Sequence, residues 1–206
     1  MSAANQALER LREGNRRFAS DTRSADSLSS LTRRAELVAG QHPFAIVLGC
    51  SDSRVPAEIV FDQGLGELFV IRVAGNVVAP SQIGSVEFAV EQFGTRLVVV
   101  LGHSRCGAVL ATLQELRRPD RAQSRNLRSI VDRIRPSVEG LLATDLGKDP
   151  EALAREAVRA NVRVSASQLR RGSEVLERLI EHEGLLVVGA EYSLESGLVD
   201  VFDGVP

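Results

Sequence analysis

Only two cysteines occur in the 206 residues, Cys50 and Cys106, and a histidine, His103, stands three residues before the second. Each group follows a short apolar run of the kind that forms a buried strand: FAIVL at 44–48 leads to Cys50, and RLVVVL at 96–101 leads to His103. Two thiolates and one imidazole suit zinc, and three protein ligands leave the fourth position for water or substrate, as in a catalytic site. The plain alternative is that two buried cysteines and a core histidine merely pack; all three at two strand ends, with no spare cysteine, favour metal. Asp52 and Arg54 share the loop of Cys50 at a two-residue spacing that could point both into the site. A carboxylate there either takes zinc's fourth position and blocks it, or pairs with Arg54 and leaves that position to water. A surface ion pair capping the following helix is the third reading.

The elements that must position these groups follow from hydrophobic periodicity. Residues 4–19, with Leu8, Leu11 and Phe18 at near-helical spacing, predict an amphipathic helix weakened by Gly14. A polar stretch at 20–30 separates it from a second helix at 31–38. The runs at 44–48, 96–101 and 185–190 read as strands buried on both faces, as in a parallel sheet, and 68–73, which carries Arg72, reads as a further strand. Helices are expected at 56–61, 81–93 and 107–116. The stretches 126–143 and 150–180 are mostly helical, with Pro136 interrupting the first and Gly172 the second. A turn at Ser196 and Gly197 leads to a short antiparallel edge strand at 198–202. The fold class is therefore α/β: a mostly parallel sheet of four strands plus an edge strand, flanked by helices, with an amino-terminal helical arm. Ligands bind such sheets beyond the carboxyl ends of the strands, where the winding reverses. If the first and third strands are neighbours, Cys50 and the pair His103/Cys106 meet at that point.

A hydrophobic content of 44% lets 206 residues bury one sizeable core, so residues 1–206 are expected to form a single domain. With 25 basic and 27 acidic side chains, no net field favours nucleic acid or an anionic membrane. The local cluster Arg117, Arg118 and Arg121 reads as a solvated helix end. No apolar run approaches the ~20 residues that span a bilayer, and the amino terminus lacks a signal-peptide core, so a soluble, cytoplasmic protein is expected. Two cysteines in such a chain point to metal or reduced thiols rather than a disulfide.

Three stretches carry a resemblance: CSDSRVPAE from Cys50, GELFVIRVAGNVV from Gly66 and VVVLGHSRCGAV from Val98 resemble the β-class carbonic anhydrases. The resemblance implies that Cys50, His103 and Cys106 bind Zn2+ and that Asp52 and Arg54 form a catalytic dyad, with Asp52 a zinc ligand only in a closed state. Gln41 falls where the plant-like branch has a substrate-binding glutamine, whose amide could donate to bicarbonate. The Gly107 backbone N–H is similar to a family contact to bound anion. Phe69, Phe88 and Ala74 match apolar pocket positions, with Phe88 in place of a frequent tyrosine and Ala74 in place of a frequent valine. No tryptophan is present, which argues against the inhibitory bicarbonate arrangement of other members. The activity implied is reversible hydration of carbon dioxide to bicarbonate and a proton, with water on the zinc losing a proton to become the attacking hydroxide. A homodimer, or a tetramer made of two such dimers, is implied as well, with residues 1–40 packing as an arm on the partner subunit. Acidification is expected to close the site, Asp52 leaving Arg54 for the metal as hydroxide competes less well. Hydrolysis of carbon disulfide or carbonyl sulfide, a noncatalytic zinc-stabilised module and a cysteine phosphatase using Cys50 are the competing functions.

Overall fold

The computed structural model describes residues 2–23, 30–118 and 124–205. Helix α1 (Ala3–Ala19) and the short α2 (Leu31–Glu36) precede β1 (Ala45–Gly49), α3 (Ala57–Val60) and β2 (Leu68–Arg72). Then come α4 (Pro80–Phe93), β3 (Leu97–His103), α5 (Gly107–Arg117), α6 (Arg125–Val138), α7 (Pro150–Arg171) and α8 (Glu174–His182). The chain ends on β4 (Leu186–Tyr192) and β5 (Val199–Asp203). The strands form one sheet in the order β2-β1-β3-β4-β5, the first four parallel and β5 antiparallel to β4.

Every residue of β1 and β3 is buried, which is why both read as unbroken apolar runs: each face of the sheet is covered. On one face Leu8 and Leu11 of α1 pack on Val47, Val99 and Leu101. On the other, α4, α7 and α8 supply Val86, Val162, Leu169 and Leu176 against Ile46, Leu48, Val98 and Val100. Each such side chain, fully buried, contributes roughly 1.5–3 kcal/mol. A third cluster surrounds Cys50 and Cys106 with Val109, Leu113, Ile134, Leu153 and Val158, from α5, α6 and α7.

The amino-terminal arm has two unlike parts. Helix α1 is fastened to its own sheet: buried Asn15 donates to the carbonyls of Val60 (3.1 Å) and Gly197 (2.9 Å) and accepts from the Val199 N–H (2.8 Å). Gly14, unfavourable for helix propensity, is there for close approach, since a Cβ would lie 1.8 Å from the Phe61 carbonyl oxygen. Helix α2, by contrast, buries none of its residues, and Val38 just beyond it is 87% exposed.

Pro136 does not interrupt its helix. Buried Val131, Ile134 and Val138 hold α6 to the core on both sides of it, and the helix continues to Val138 before giving way to 3-10 turns at Glu139–Ala143 and Asp145–Lys148. Gly172 does mark the break between α7 and α8. Of the basic trio, Arg117 donates to the Gly147 carbonyl at 3.0 Å rather than standing free, and Arg121 lies outside the described residues, as does most of the polar stretch after α1. No helix among the described residues is long and apolar enough to cross a membrane.

Candidate metal centre

Parallel pairing of the two central strands brings the sulfur and nitrogen ligands together. Gly49 is in register with Leu101, and β3 runs two residues further to His103, so Cys50 emerges from β1 level with Gly102. The chain then turns through Arg105, whose φ of 56° is rare for a side-chain-bearing residue, and delivers Cys106 as the residue before α5. The ligand atoms of Cys50, His103 and Cys106 all lie within 4.8 Å of one another, and all three residues are buried.

The histidine is set as a metal ligand must be. Its Nδ1 lies 3.0 Å from the Ser104 carbonyl, which can only accept, so Nδ1 carries the proton and Nε2 presents a lone pair. That Nε2 is buried with no hydrogen-bond partner among the described residues. A buried polar atom left unpaired costs about 1–3 kcal/mol, and here it faces two thiols. Both thiols can be deprotonated by a soft cation, and the set of two sulfurs and one imidazole is the one zinc prefers.

The electrostatics agree. A hydrogen bond from the Cys106 thiol, helped by His103 and the Gly75 N–H, outweighs burial and holds the Cys50 thiol well below its ordinary pKa. Cys106, which keeps the shared proton and is itself buried, is pushed up. Burial works against protonating His103, but the adjacent Cys50 thiolate more than compensates and raises its pKa. Cys50, His103 and Cys106 would hold a divalent cation with both thiols deprotonated, the cation supplying the positive charge these protons now supply.

Beside the cluster, Arg54 grips Asp52 with both ends of its guanidinium, Nε to Oδ1 at 2.9 Å and Nη2 to Oδ2 at 2.7 Å, and its backbone N–H adds a 3.0 Å bond to Oδ1. These bonds hold the carboxyl well below the usual carboxylate range. Asp52 Oδ2 lies 3.8 Å from His103 Nε2, so the paired carboxylate borders the space the ligands enclose. Ala74 sits in the turn beside Cys50, and Gly107 opens α5, where its N–H belongs to the helix's first, unbonded turn.

Sequence reasoning missed the residues that hold this loop. Arg72, at the end of β2, donates to the carbonyls of Cys50 (3.1 Å) and Asp52 (2.7 Å). Its signal was only that it ends a strand neighbouring β1. Asn161 and Ser165, on α7 far along the chain, reach the carbonyls of Gly75 and Asn76; nothing local marks them except polar residues on an otherwise apolar helix face.

Gln41, Phe69 and Phe88 are not brought to the cluster of their own chain. Gln41 precedes β1, at the end opposite Cys50, and Phe69 is in register with Ile46, about 13 Å before Cys50 at ~3.3 Å per residue. Phe88 stacks near Phe69 and Phe93, with ring centroids 5.8–6.1 Å apart, and is 51% exposed. The reason is strand direction: the ligands leave the carboxyl ends of parallel strands, whereas these three residues stand at the amino ends.

The geometry is matched by relatives. The carbonic anhydrase family model matches residues 45–199, which contain both strands and all three ligands. The chain is 39% identical over 191 residues to carbonic anhydrase 2 of Mycobacterium tuberculosis, covering 93% of this chain and 89% of that protein. It is 40% identical over 197 residues to a carbonic anhydrase of Mycolicibacterium smegmatis, covering 95% and 91%. The crystal structure of the β-carbonic anhydrase CafA of Aspergillus fumigatus superposes with a TM-score of 0.75 at 25% identity, covering 98% of this chain and 91% of that one. With the ligand triad buried at the ends of paired parallel strands and these matches spanning almost the whole chain, the protein belongs to the β-class carbonic anhydrase family.

Proposed function

We propose that the protein catalyses the reversible hydration of carbon dioxide to bicarbonate and a proton, with Cys50, His103 and Cys106 holding zinc. The observation that carries this reading is the buried, unpartnered His103 Nε2 facing two thiols, with an ionised carboxylate 3.8 Å away. Zinc held there supplies a Lewis acid that makes water nucleophilic near neutral pH.

The protein's own groups do the rest. Asp52, fixed by Arg54 and unable to pick up a proton in the neutral range, accepts a hydrogen bond from the attacking water and orients it toward carbon dioxide. Arg72 keeps the carbonyls on either side of that carboxylate from moving. The Gly107 N–H, at the positive end of α5, donates to the anionic product. Ala74 lines the space beside Cys50. Gln41, Phe69 and Phe88 complete the pocket as an amide donor and an apolar wall. Because they stand at the other end of the sheet in their own chain, they serve the cluster of a second copy, which makes the active form a homodimer or a tetramer of two such dimers. The exposed Phe88 and the largely exposed α2 are the surfaces such a copy would cover. Of the arm, α2 is the part that packs on the partner. A cytoplasmic location suits an enzyme whose thiols must stay reduced.

Stopped-flow measurement of carbon dioxide hydration from pH 6.5 to 9, with zinc determined on the same sample, tests this reading. Hydration that depends on zinc, rises with pH and collapses in Asp52→Asn and Cys106→Ser is expected. One zinc per chain with no hydration would overturn it in favour of an analogue substrate or a noncatalytic module.

A further inference from the structure

Two residues of α7 reach the cluster without touching it. Asn161 and Ser165, both buried, are four apart and so share one face of the helix. They donate to two successive carbonyls: Asn161 Nδ2 to Gly75 O at 2.8 Å, and Ser165 Oγ to Asn76 O at 3.0 Å. Gly75 and Asn76 are consecutive left-handed residues, with φ of 68° and 44°, a conformation that persists only where the surroundings impose it. The surroundings are tight, since a Cβ on Gly75 would lie 2.8 Å from Ile134 Cδ1 and 3.1 Å from Ala108 Cβ. In this conformation the Gly75 N–H points at Cys50 Sγ, 3.3 Å away.

We propose that Asn161 and Ser165 are positioning residues that hold the Gly75–Asn76 turn so that its N–H stays on the Cys50 sulfur, setting how strongly that sulfur donates to the metal. This rests on the reading of Cys50, His103 and Cys106 as the zinc site. Withdrawing the Asn161 amide leaves the buried Gly75 carbonyl without its donor, and the turn relaxes toward a conformation in which the carbonyl finds another. The N–H then swings off the sulfur. An N–H on a thiolate draws its lone pair down in energy, so losing it changes both the strength of metal binding and the electronic spectrum of a bound metal. A role confined to packing would change neither.

The test uses the whole protein loaded with zinc, or with cobalt(II) in its place as a spectroscopic probe. Zinc affinity is read by competition with a chromophoric chelator, and the thiolate-to-cobalt charge-transfer band by absorption. Asn161→Ala is expected to change zinc affinity roughly 10-fold or more and to move the band to longer wavelength. Ser165→Ala should shift both in the same direction by less. Leu169→Ala, one turn further along α7 in the core, is the control: it should lower the melting temperature and leave band and affinity unchanged. If Asn161→Ala does not fold, Asn161→Asp, which keeps the shape but offers no N–H to the Gly75 carbonyl, carries the test together with Ser165→Ala. Variants that lose thermal stability as Leu169→Ala does, with an unmoved band and zinc affinity within about 2-fold of wild type, would overturn the proposal. Wild-type protein that takes up neither metal would instead overturn the zinc reading on which it rests.

Discussion

The two ends of the sheet are built on opposite terms. At the carboxyl ends of β1 and β3, polar groups are gathered and tied to partners: Asp52 to Arg54, the Cys50 and Asp52 carbonyls to Arg72, His103 Nδ1 to Ser104, while His103 Nε2 and the buried Asn76 Nδ2 have none among the described residues. At the amino ends, Phe69, Phe88 and Phe93 make a partly exposed aromatic cluster with Gln41 exposed in the segment before β1. One end gathers the buried Cys50, His103 and Cys106 with the Asp52–Arg54 pair, and the other presents a partly exposed aromatic patch. Parallel strands force this separation, because everything that follows a strand emerges at one end and everything that precedes it lies at the other. A second copy in opposed orientation would bring the two halves together, which an isologous contact achieves by symmetry.

The largest expected effect is at the carboxyl end. Cys106→Ser removes a ligand, and zinc should fall from about one per chain to near zero, with hydration falling to background; metal analysis and stopped-flow on one sample decide it. Zinc retained at full occupancy would break the assignment of that end.

Asp52→Asn keeps the shape of the dyad and removes its charge. Hydration should fall by about 10²–10⁴-fold with zinc retained. A rate within a few-fold of wild type would show that the carboxylate orients nothing.

The link between the ends is tested by complementation. Phe88→Glu puts a charge on the aromatic wall and should lower hydration by about 10-fold while leaving zinc in place. Mixed with Asp52→Asn and allowed to exchange subunits, it should recover about a quarter of wild-type activity, because each mixed dimer holds one intact site and half the dimers are mixed. If the two variants give only the sum of their separate activities, each chain works alone.

The smallest effect expected concerns pH. Asp52 has its folded pKa depressed, so the stability its pairing contributes is present above the unfolded value of about 4 and is lost only as pH falls through the folded value below it. Between pH 5 and 8 it stays ionised, and loss of zinc in that window must come from protons competing for the cysteines and His103. Chelator-monitored zinc occupancy against pH should therefore follow parallel curves in wild type and Asp52→Asn. Curves that diverge on acidification, with wild type keeping more zinc than Asp52→Asn, would place Asp52 on the metal at low pH, the closed state, which crystals grown at pH 6 and 8.5 would show directly.

Much of the carboxyl end was legible because its residues are chemically unusual and locally spaced. Two cysteines, a histidine three residues from one of them and an Asp-x-Arg two residues past the other, each after an unbroken apolar run, leave few other uses. The strands were legible for the same reason that β1 and β3 are wholly buried. Pro136 misled because its cost is local while the buried Val131, Ile134 and Val138 that override it act through the tertiary core. Arg72, Asn161 and Ser165 were illegible because their function is to donate to backbone carbonyls, and any residue has those.

The sequence by itself determined the α/β alternation and the family, and it marked Cys50, His103, Cys106, Asp52 and Arg54 as the candidate site, since all of these are written in residue identity and short-range period. Tertiary structure alone decided that β1 and β3 are neighbours, that α1 belongs to its own sheet while α2 is left uncovered, and that α7 reaches across to the Gly75 turn. It also decided that Gln41 and the two phenylalanines lie a strand's length from the cluster of their own chain. Those are relations between segments far apart in the chain, set by which buried faces pack together, and no local pattern encodes them.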